Sequence, residues 1–206
     1  GACTLTNNSV NLKPERARSW ELGTKWDLFD EQLSLTAAVF QTKKTNARAT
    51  DPITGTVQLI GNNRVRGFEF GVSGNITPEW NIFGGYTYLD AKLIDDGSGT
   101  NDGNRIKFVA PHSFSIWTTY KVTPEFDIGG GVNYTGTRYV NDANTQKFRP
   151  YARVDATIGY KVSDNLDLRV NVQNLTNKLY YDASHVGIFA NVAPGRSALL
   201  TANLRY

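Results

Sequence analysis

The sequence predicts an all-β fold, an antiparallel barrel wall that crosses a membrane with strands. Apolar and polar residues alternate with a period of two in nine segments, and a helix of period 3.6 would not produce that pattern. Short and long connections alternate between these segments, as in barrels with tight turns on one side of the membrane and long loops on the other. No window of about eighteen apolar residues occurs, so no transmembrane helix is predicted.

The nine predicted strands follow one another in hairpin order. The first places Trp20, Leu22 and Trp26 on one face and Glu21 and Lys25 on the other. The alternating stretches are 20–28, 33–39, 67–76, 80–88, 113–120, 126–134, 152–160, 166–173 and 196–206. The strands that contain them are expected to have about ten residues or more. Short turns at 29–31, 77–79, 122–125 and 162–165 alternate with long polar loops at 42–63, 91–108, 136–150 and 174–195.

The alternation also predicts which way the side chains face. Aromatic residues make up 12% of the chain, which suits girdles at the two membrane interfaces. We expect these side chains to face lipid: Trp20, Trp26, Phe68, Phe70, Ile82, Tyr86, Ile128, Val154, Ile158, Leu168, Val170, Leu200 and Leu204. We expect these to face the lumen: Arg64, Arg66, Glu69, Arg153, Asp155, Arg169 and Asn171.

The strand count predicts that the chain is one part of a larger barrel. Short turns mark the periplasmic side, so the first strand starts outside the cell and the ninth ends in the periplasm. Nine is odd, whereas single-chain bacterial barrels have an even number of strands. Alone, the sheet would leave two open edges and an apolar face without cover.

The C-terminal stretch resembles the end of the TonB-dependent outer-membrane receptors. In that family the penultimate strand runs into an Asn-Leu-x-Asp/Asn-Lys-x-Tyr motif, and the chain matches it at Asn174, Leu175, Asn177, Lys178 and Tyr180. The final aromatic residue, Tyr206, matches the signal by which such barrels are recognised for membrane assembly. Segments 12–26, 63–91 and 109–120 resemble successive barrel segments of the siderophore-receptor branch, with catecholate-type receptors most similar.

The resemblance implies both an architecture and a function. Transporters of this family have about 22 strands and a plugged lumen, so residues 1–206 would form the C-terminal part of the barrel, without the plug domain and the earlier strands. The function implied is import of a ferric siderophore across the outer membrane of a Gram-negative bacterium. The implied partners are the siderophore, the TonB complex through the absent N-terminal part, outer-membrane lipid and lipopolysaccharide, and the barrel assembly machinery. No resident cofactor or metal is implied.

Candidate ligand-binding residues lie in the outer loops. Ferric siderophores are bulky and usually anionic, so Arg and aromatic residues suit them through charge-assisted hydrogen bonds and flat contact surfaces. The candidates are Arg48, Arg138, Tyr139, Arg149, Tyr180, Tyr181 and His185. The alternative for each is a girdle or lipid-headgroup contact at the barrel rim.

Other function classes receive less support from the sequence. No HExxH, CxxC or GxSxG motif occurs, and His112 and His185 lie far apart without clustered carboxylates, so an enzyme is not predicted. The net charge of +3 is spread evenly and does not favour nucleic acid. A non-transporting structural or adhesion barrel and a soluble β-sandwich remain as alternatives. Cys3 is the single cysteine, either a free thiol or one half of a disulfide whose partner lies in further sequence.

Overall fold

A computed structural model describes residues 14–50, 57–185 and 189–206. Cys3 and the polar N-terminal segment lie outside these residues. Within them the chain forms thirteen strands: β1 (Arg16–Leu28), β2 (Leu33–Thr50), β3 (Val57–Thr77), β4 (Trp80–Asp95), β5 (His112–Lys121), β6 (Phe126–Thr135), β7 (Arg138–Tyr139), β8 (Lys147–Phe148), β9 (Tyr151–Lys161), β10 (Leu166–Gln173), β11 (Tyr181–His185), β12 (Phe189–Val192) and β13 (Ser197–Leu204).

Nine of these strands form one antiparallel sheet, which confirms the predicted number and direction of strands. The order is β1-β2-β3-β4-β5-β6-β9-β10-β13, so each strand pairs with its neighbour in the predicted series. The other four strands form two small sheets, β7 with β8 and β11 with β12, inside the predicted loops 136–150 and 174–195. These small sheets were not predicted.

The register confirms the predicted faces for almost every residue. Directly opposed residues of a sheet point to the same face, and Leu22 lies opposite Val39, which lies opposite Phe68. Followed across the sheet in this way, all thirteen residues expected to face lipid share one face. We call it the apolar face, and we call the opposite one the polar face. Glu69, Asp155 and Arg169 lie on the polar face, as expected.

The expectation is wrong for Arg64 and Arg66. The pairing of β3 with β4 is continuous from Arg64 to Phe70, and side chains of even number in this stretch all point the same way because the strand repeat is two residues. The two arginines therefore lie on the apolar face, in line with Phe68 and Phe70. Glu69 lies on the polar face. The two arginines stand at the end of the apolar face that is furthest from the short turns.

Strand lengths also differ from the expectation. β2 and β3 extend through most of the predicted loop 42–63, and β4 continues to Asp95. Alternating hydropathy marks only the part of a strand that meets lipid, whereas backbone pairing continues in polar sequence beyond it. At the other extreme, β10 and β13 have 8 residues each, fewer than the ten expected.

The four short turns lie along one edge of the sheet, as predicted. Backbone hydrogen bonds connect each turn region with the next strand, from Asn75 N to Gln32 O (2.7 Å), Lys121 N to Glu79 O (3.0 Å), Lys161 N to Glu125 O (2.8 Å) and Arg205 N to Asn165 O (2.9 Å). We call this the periplasmic edge. The long connections, and with them both small sheets, lie at the opposite, outer edge.

The apolar face has no protein layer over it in the described part of the chain. Leu22 is 72% exposed and Leu200 is 66% exposed, and no second sheet packs against them. A soluble β-sandwich would bury this face under a second sheet, and the described residues form no such sheet. Aromatic side chains collect near the outer end, where the rings of Phe68 and Tyr88 lie 5.6 Å apart, and near the periplasmic edge at Trp80 and Tyr120. None of the described residues forms a helix able to span a membrane.

Candidate ligand site in the outer loops

The connection from β10 to β13 is fixed to the polar face by the Asn-Leu-Thr-Asn-Lys motif. Asn174 is 1% exposed and adopts a left-handed backbone conformation with φ of 50°. Its backbone N–H donates to Asp155 Oδ1 (2.8 Å), and its Nδ2 donates to the backbone oxygens of Lys178 (3.0 Å) and Pro194 (3.1 Å). Its Oδ1 accepts from the backbone N–H of Lys178 (2.8 Å). Both ends of the loop are therefore joined at one buried amide.

Arg138 connects the two loops that contain the small sheets. Only 6% of this residue is exposed. Its Nη2 donates to the backbone oxygens of Tyr181 (2.9 Å) and Asp182 (3.0 Å). Its guanidinium also lies over two rings, with its central carbon 5.2 Å from the centre of Phe148 and 5.7 Å from that of Tyr151. Arg138 thus holds the β11–β12 sheet against the β7–β8 sheet.

Aromatic stacking reinforces this contact. The rings of Tyr151 and Tyr180 are stacked 4.1 Å apart, and those of Phe148 and Tyr181 are stacked 5.7 Å apart. Tyr151 belongs to the polar face, since it alternates with Ala152 and shares parity with Arg153 and Asp155. The two loops are therefore folded over the polar face, above the predicted lumen wall.

A cleft of about 480 Å³ opens between these loops. It combines cations with flat apolar surfaces, because its walls are made by Lys147, Phe148, Arg149, Pro150, Lys178, Leu179, Tyr180 and Tyr181. The three cationic residues are exposed, and Tyr181 is 42% exposed. Such a lining suits an anion with planar aromatic groups, since Lys and Arg bind oxygen anions and the rings offer stacking surfaces.

A third outer loop packs against the same cluster from the side of β4 and β5. Lys107 Nζ forms an ion pair with Asp142 Oδ2 (2.9 Å), and the backbone N–H of Arg105 donates to Asn144 Oδ1 (2.9 Å). Within this loop Asp96 accepts hydrogen bonds from the backbone N–H groups of Ser98 (2.9 Å) and Asn101 (3.1 Å). Burial alone would raise the pKa of Asp96, but these bonds outweigh it and hold that pKa well below its usual range.

The structure brings some of the candidate residues together and separates others. Arg149, Tyr180 and Tyr181 line the cleft, and Arg138 is buried behind it. Tyr139 lies beside the cluster and accepts from the backbone N–H of Phe108 through its backbone oxygen (2.7 Å).

Arg48 stands apart from these residues, and no contact of the His185 side chain is described. Arg48 belongs to the outward extension of β2, where its backbone N–H donates to Glu15 Oε1 (3.1 Å). β3, β4 and β5 separate β2 from β6 in the sheet. The backbone of His185 ends β11, while its side chain lies outside the described part of the chain.

The candidate set omitted the cleft residues Lys147, Phe148 and Lys178. Lys147 and Phe148 were recognisable as a basic and aromatic pair in a long loop. Lys178 was recognised only as a match to the family motif.

The family model described as "TonB dependent receptor-like, beta-barrel" matches residues 1–175. The chain belongs to this TonB-dependent receptor family. It is 40% identical, over 98% of its length, to the probable TonB-dependent siderophore receptor PiuA of Acinetobacter baumannii, and covers 28% of that protein. The crystal structure of PiuA superposes with a TM-score of 0.87 at 41% identity, covering 92% of this chain and 28% of PiuA.

A second solved structure gives the same result. The ferric-catecholate import receptor Fiu of Escherichia coli K12 in its closed form has a TM-score of 0.85 at 35% identity, over 98% of this chain and 29% of Fiu. Membership of the TonB-dependent receptor family confirms the predicted fold class and the location in the outer membrane of a Gram-negative bacterium. The chain spans just over a quarter of the length of the curated relatives it matches.

Proposed function

We propose that this chain forms the C-terminal part of the barrel of an outer-membrane receptor that imports a ferric siderophore, with energy supplied through TonB. The observation that carries the proposal is the cleft of cations and aromatic rings at the outer edge of the polar face. The relatives support the same function, since PiuA is named a siderophore receptor and Fiu a ferric-catecholate import receptor. The proposed activity is transport of a chelate, without chemical conversion of it.

The cleft has the chemistry that a ferric catecholate requires. Catecholate groups bound to iron are planar and carry negative charge on oxygen. Lys147, Arg149 and Lys178 would neutralise this charge, and each hydrogen bond from a cation to an anionic oxygen is stronger than a neutral one. The exposed ring of Tyr181 would stack on a catecholate ring. We therefore propose a catecholate-type chelate as the ligand.

The position of the cleft supports capture from outside the cell. It lies at the edge opposite the short turns, and in membrane barrels the long loops face the exterior. The polar face below it carries ion pairs, such as Arg169 Nη2 with Asp127 Oδ1 (2.9 Å), as expected of a wall that meets a wet or plugged lumen. Both edge strands, β1 and β13, have one unpaired side. We propose that further strands of the same receptor close the barrel there, since open edges do not occur in lipid.

The proposal is tested by removing the charge of the cleft in the whole receptor. The variant carries Lys147→Gln, Arg149→Gln and Lys178→Gln. The control removes the same charge at the periplasmic edge with Lys121→Gln, Lys161→Gln and Arg205→Gln. We expect the cleft variant to bind a ferric catecholate roughly tenfold or more weakly, as losing charge-assisted hydrogen bonds implies, and the control to bind normally. Equal affinity of the two variants, measured by fluorescence quenching at matched surface expression, would refute the ligand site.

A further inference from the structure

An exposed apolar strip continues from the cleft along the loop that contains β11 and β12. Burial alternates where the chain enters this loop, since Leu179 is 70% exposed, Tyr180 is 8% exposed and Tyr181 is 42% exposed. Successive side chains of an extended segment point to opposite sides, so Leu179 and Tyr181 share the side away from Tyr180. Val192 is 53% exposed and lies directly opposite Tyr181 in the register, which places it on the same side. We call Leu179, Tyr181 and Val192 the apolar strip.

The apolar strip points away from the barrel wall, into the space on its lumen side. Tyr180, on the other side of the same segment, is stacked on Tyr151 of the polar face at 4.1 Å. The backbone N–H of the buried Ala193 donates to the backbone oxygen of Tyr180 (3.0 Å), which fixes the segment in this orientation. Lipid meets the opposite, apolar face of the sheet, so contact with lipid does not account for the exposure of the strip.

The aliphatic part of the strip has no role in holding a planar anion. Leu179 and Tyr181 line the cleft together with its cations, and the ring of Tyr181 can stack on a catecholate ring. Leu179 and Val192 can neither stack nor donate a hydrogen bond from their side chains. Apolar surface that adjoins a ligand cleft is favourably covered by an apolar group of the ligand. A ligand that covers the whole strip therefore combines anionic oxygens with hydrocarbon.

We propose that the preferred chelate carries an apolar arm beside its catecholate groups, and that this arm lies on Leu179 and Val192. The inference rests on the proposed siderophore function and names an amphiphilic catecholate as the substrate class. The Cβ atoms of directly opposed residues are about 5 Å apart, so Val192 stands beside Tyr181. Leu179 is two residues away, about 7 Å at a rise of about 3.3 Å per residue. A catecholate ring stacked on Tyr181 would thus have aliphatic surface on two sides, where an arm attached to it is covered.

The experiment measures how the purified whole receptor and two variants bind two synthetic ferric catecholamides of equal charge. One complex carries hexyl arms, and the other carries ether arms of the same length. The strip variant is Leu179→Ser with Val192→Ser, which keeps Tyr181 and the cations of the cleft. The matched control is Leu175→Ser with Phe189→Ser. Leu175 is 42% exposed and Phe189 is 67% exposed in the same loop, and neither lines the cleft. Fluorescence quenching gives the affinities, with all receptors in the same detergent.

We expect the parent receptor and the control to bind the hexyl complex roughly tenfold or more tightly than the ether complex, because burial of hydrocarbon against Leu179 and Val192 removes both from water. The strip variant should lose this preference and bind both complexes as the parent binds the ether complex. Partition of the hexyl complex into detergent is the same for all three proteins, so the comparison between them removes it. The strip variant should unfold at the same temperature as the control, since its substitutions lie at exposed positions.

The possible failures are distinguishable from one another. Equal affinity of the parent for the two complexes would overturn the apolar arm but leave the ligand site of the proposed function intact, whereas a parent that bound neither complex would overturn both. A strip variant that kept the preference would show that the arm does not lie on Leu179 and Val192. If another loop of the receptor covers the strip instead, the parent will show no preference and the strip variant will unfold at a lower temperature than the control, which also overturns the inference.

Discussion

Replacing Arg138 with Gln should loosen the β11–β12 sheet without disturbing the barrel wall. The guanidinium makes two hydrogen bonds to backbone oxygens, at 2.9 and 3.0 Å, and a hydrogen bond involving a charged group contributes about 1.5 kcal/mol or more. The contacts with Phe148 and Tyr151 add about 0.5 to 1 kcal/mol. Glutamine cannot span the same distance, so the local free energy of opening should fall by about 3.5 to 4 kcal/mol.

A loss of about 3.5 to 4 kcal/mol corresponds to a factor of roughly 300 to 700 in the opening equilibrium, since about 1.4 kcal/mol is tenfold. Hydrogen exchange of the whole receptor in detergent measures it, read by mass spectrometry in peptides that cover 181–192. Peptides from β9 and β10 should keep their protection, because local opening of the loop leaves the sheet paired. Arg138→Lys keeps the charge but loses the two-pronged geometry, so we expect an intermediate effect.

Ligand binding should weaken in the same variant although Arg138 does not line the cleft. A binding-competent loop that is populated only in part reduces the apparent affinity by that fraction. Unchanged exchange in 181–192 with Arg138→Gln would refute the account of this residue as a connector. Faster exchange spread evenly over all strands would refute the claim that its effect is local.

Three further outcomes are expected. Asn174→Ala removes three side-chain hydrogen bonds and puts alanine at a φ of 50°, so it should lower the receptor's unfolding temperature in detergent and destabilise it by about 2 to 4 kcal/mol. The pKa of Asp96 is lowered in the folded loop, so the hydrogen bonds of its carboxylate stabilise the loop fully above the ordinary aspartate pKa. That stabilisation is lost as the pH falls through the lower pKa of the folded loop. Asp96→Asn should speed hydrogen exchange in 96–103 already at neutral pH, and no change there would contradict the role of the carboxylate. Gly84→Ala would place its Cβ 2.5 Å from the backbone oxygen of Ser115, and it should destabilise the β4–β5 pairing by about 1 to 3 kcal/mol. Gly85→Ala would place its Cβ 3.2 Å from the backbone oxygen of Phe70, so its effect in the same unfolding measurement should be smaller.

The frame of the barrel wall was predictable because the period-two pattern encodes both the strands and their faces. Leu22, Val39 and Phe68 had to share a face once the hairpin order was known, and the structure pairs them. The same rule places Arg64 and Arg66 beside Phe68, but their charge favoured the lumen.

The outer loops were less predictable because their conformation depends on single long-range contacts. β7 and β8 have two residues each, which is too short for a periodic pattern. An arginine in a polar loop is normally exposed, and nothing in the sequence near Arg138 indicates that Phe148, Tyr151 and the oxygen of Tyr181 surround it. The resemblance located Asn174 correctly as part of a motif, but its burial and its bond to Asp155 are properties of the folded loop.

The proposed ligand site therefore depends on buried residues that would not touch the ligand. Asn174 joins both ends of one loop to Asp155 on β9, and Arg138 joins that loop to its neighbour. Fixing the loops before binding lowers the conformational entropy that the chelate must overcome. Exposed residues such as Arg149 and Lys178 would then meet the chelate, while the buried contacts of Asn174 and Arg138 keep the cleft in place above the polar face.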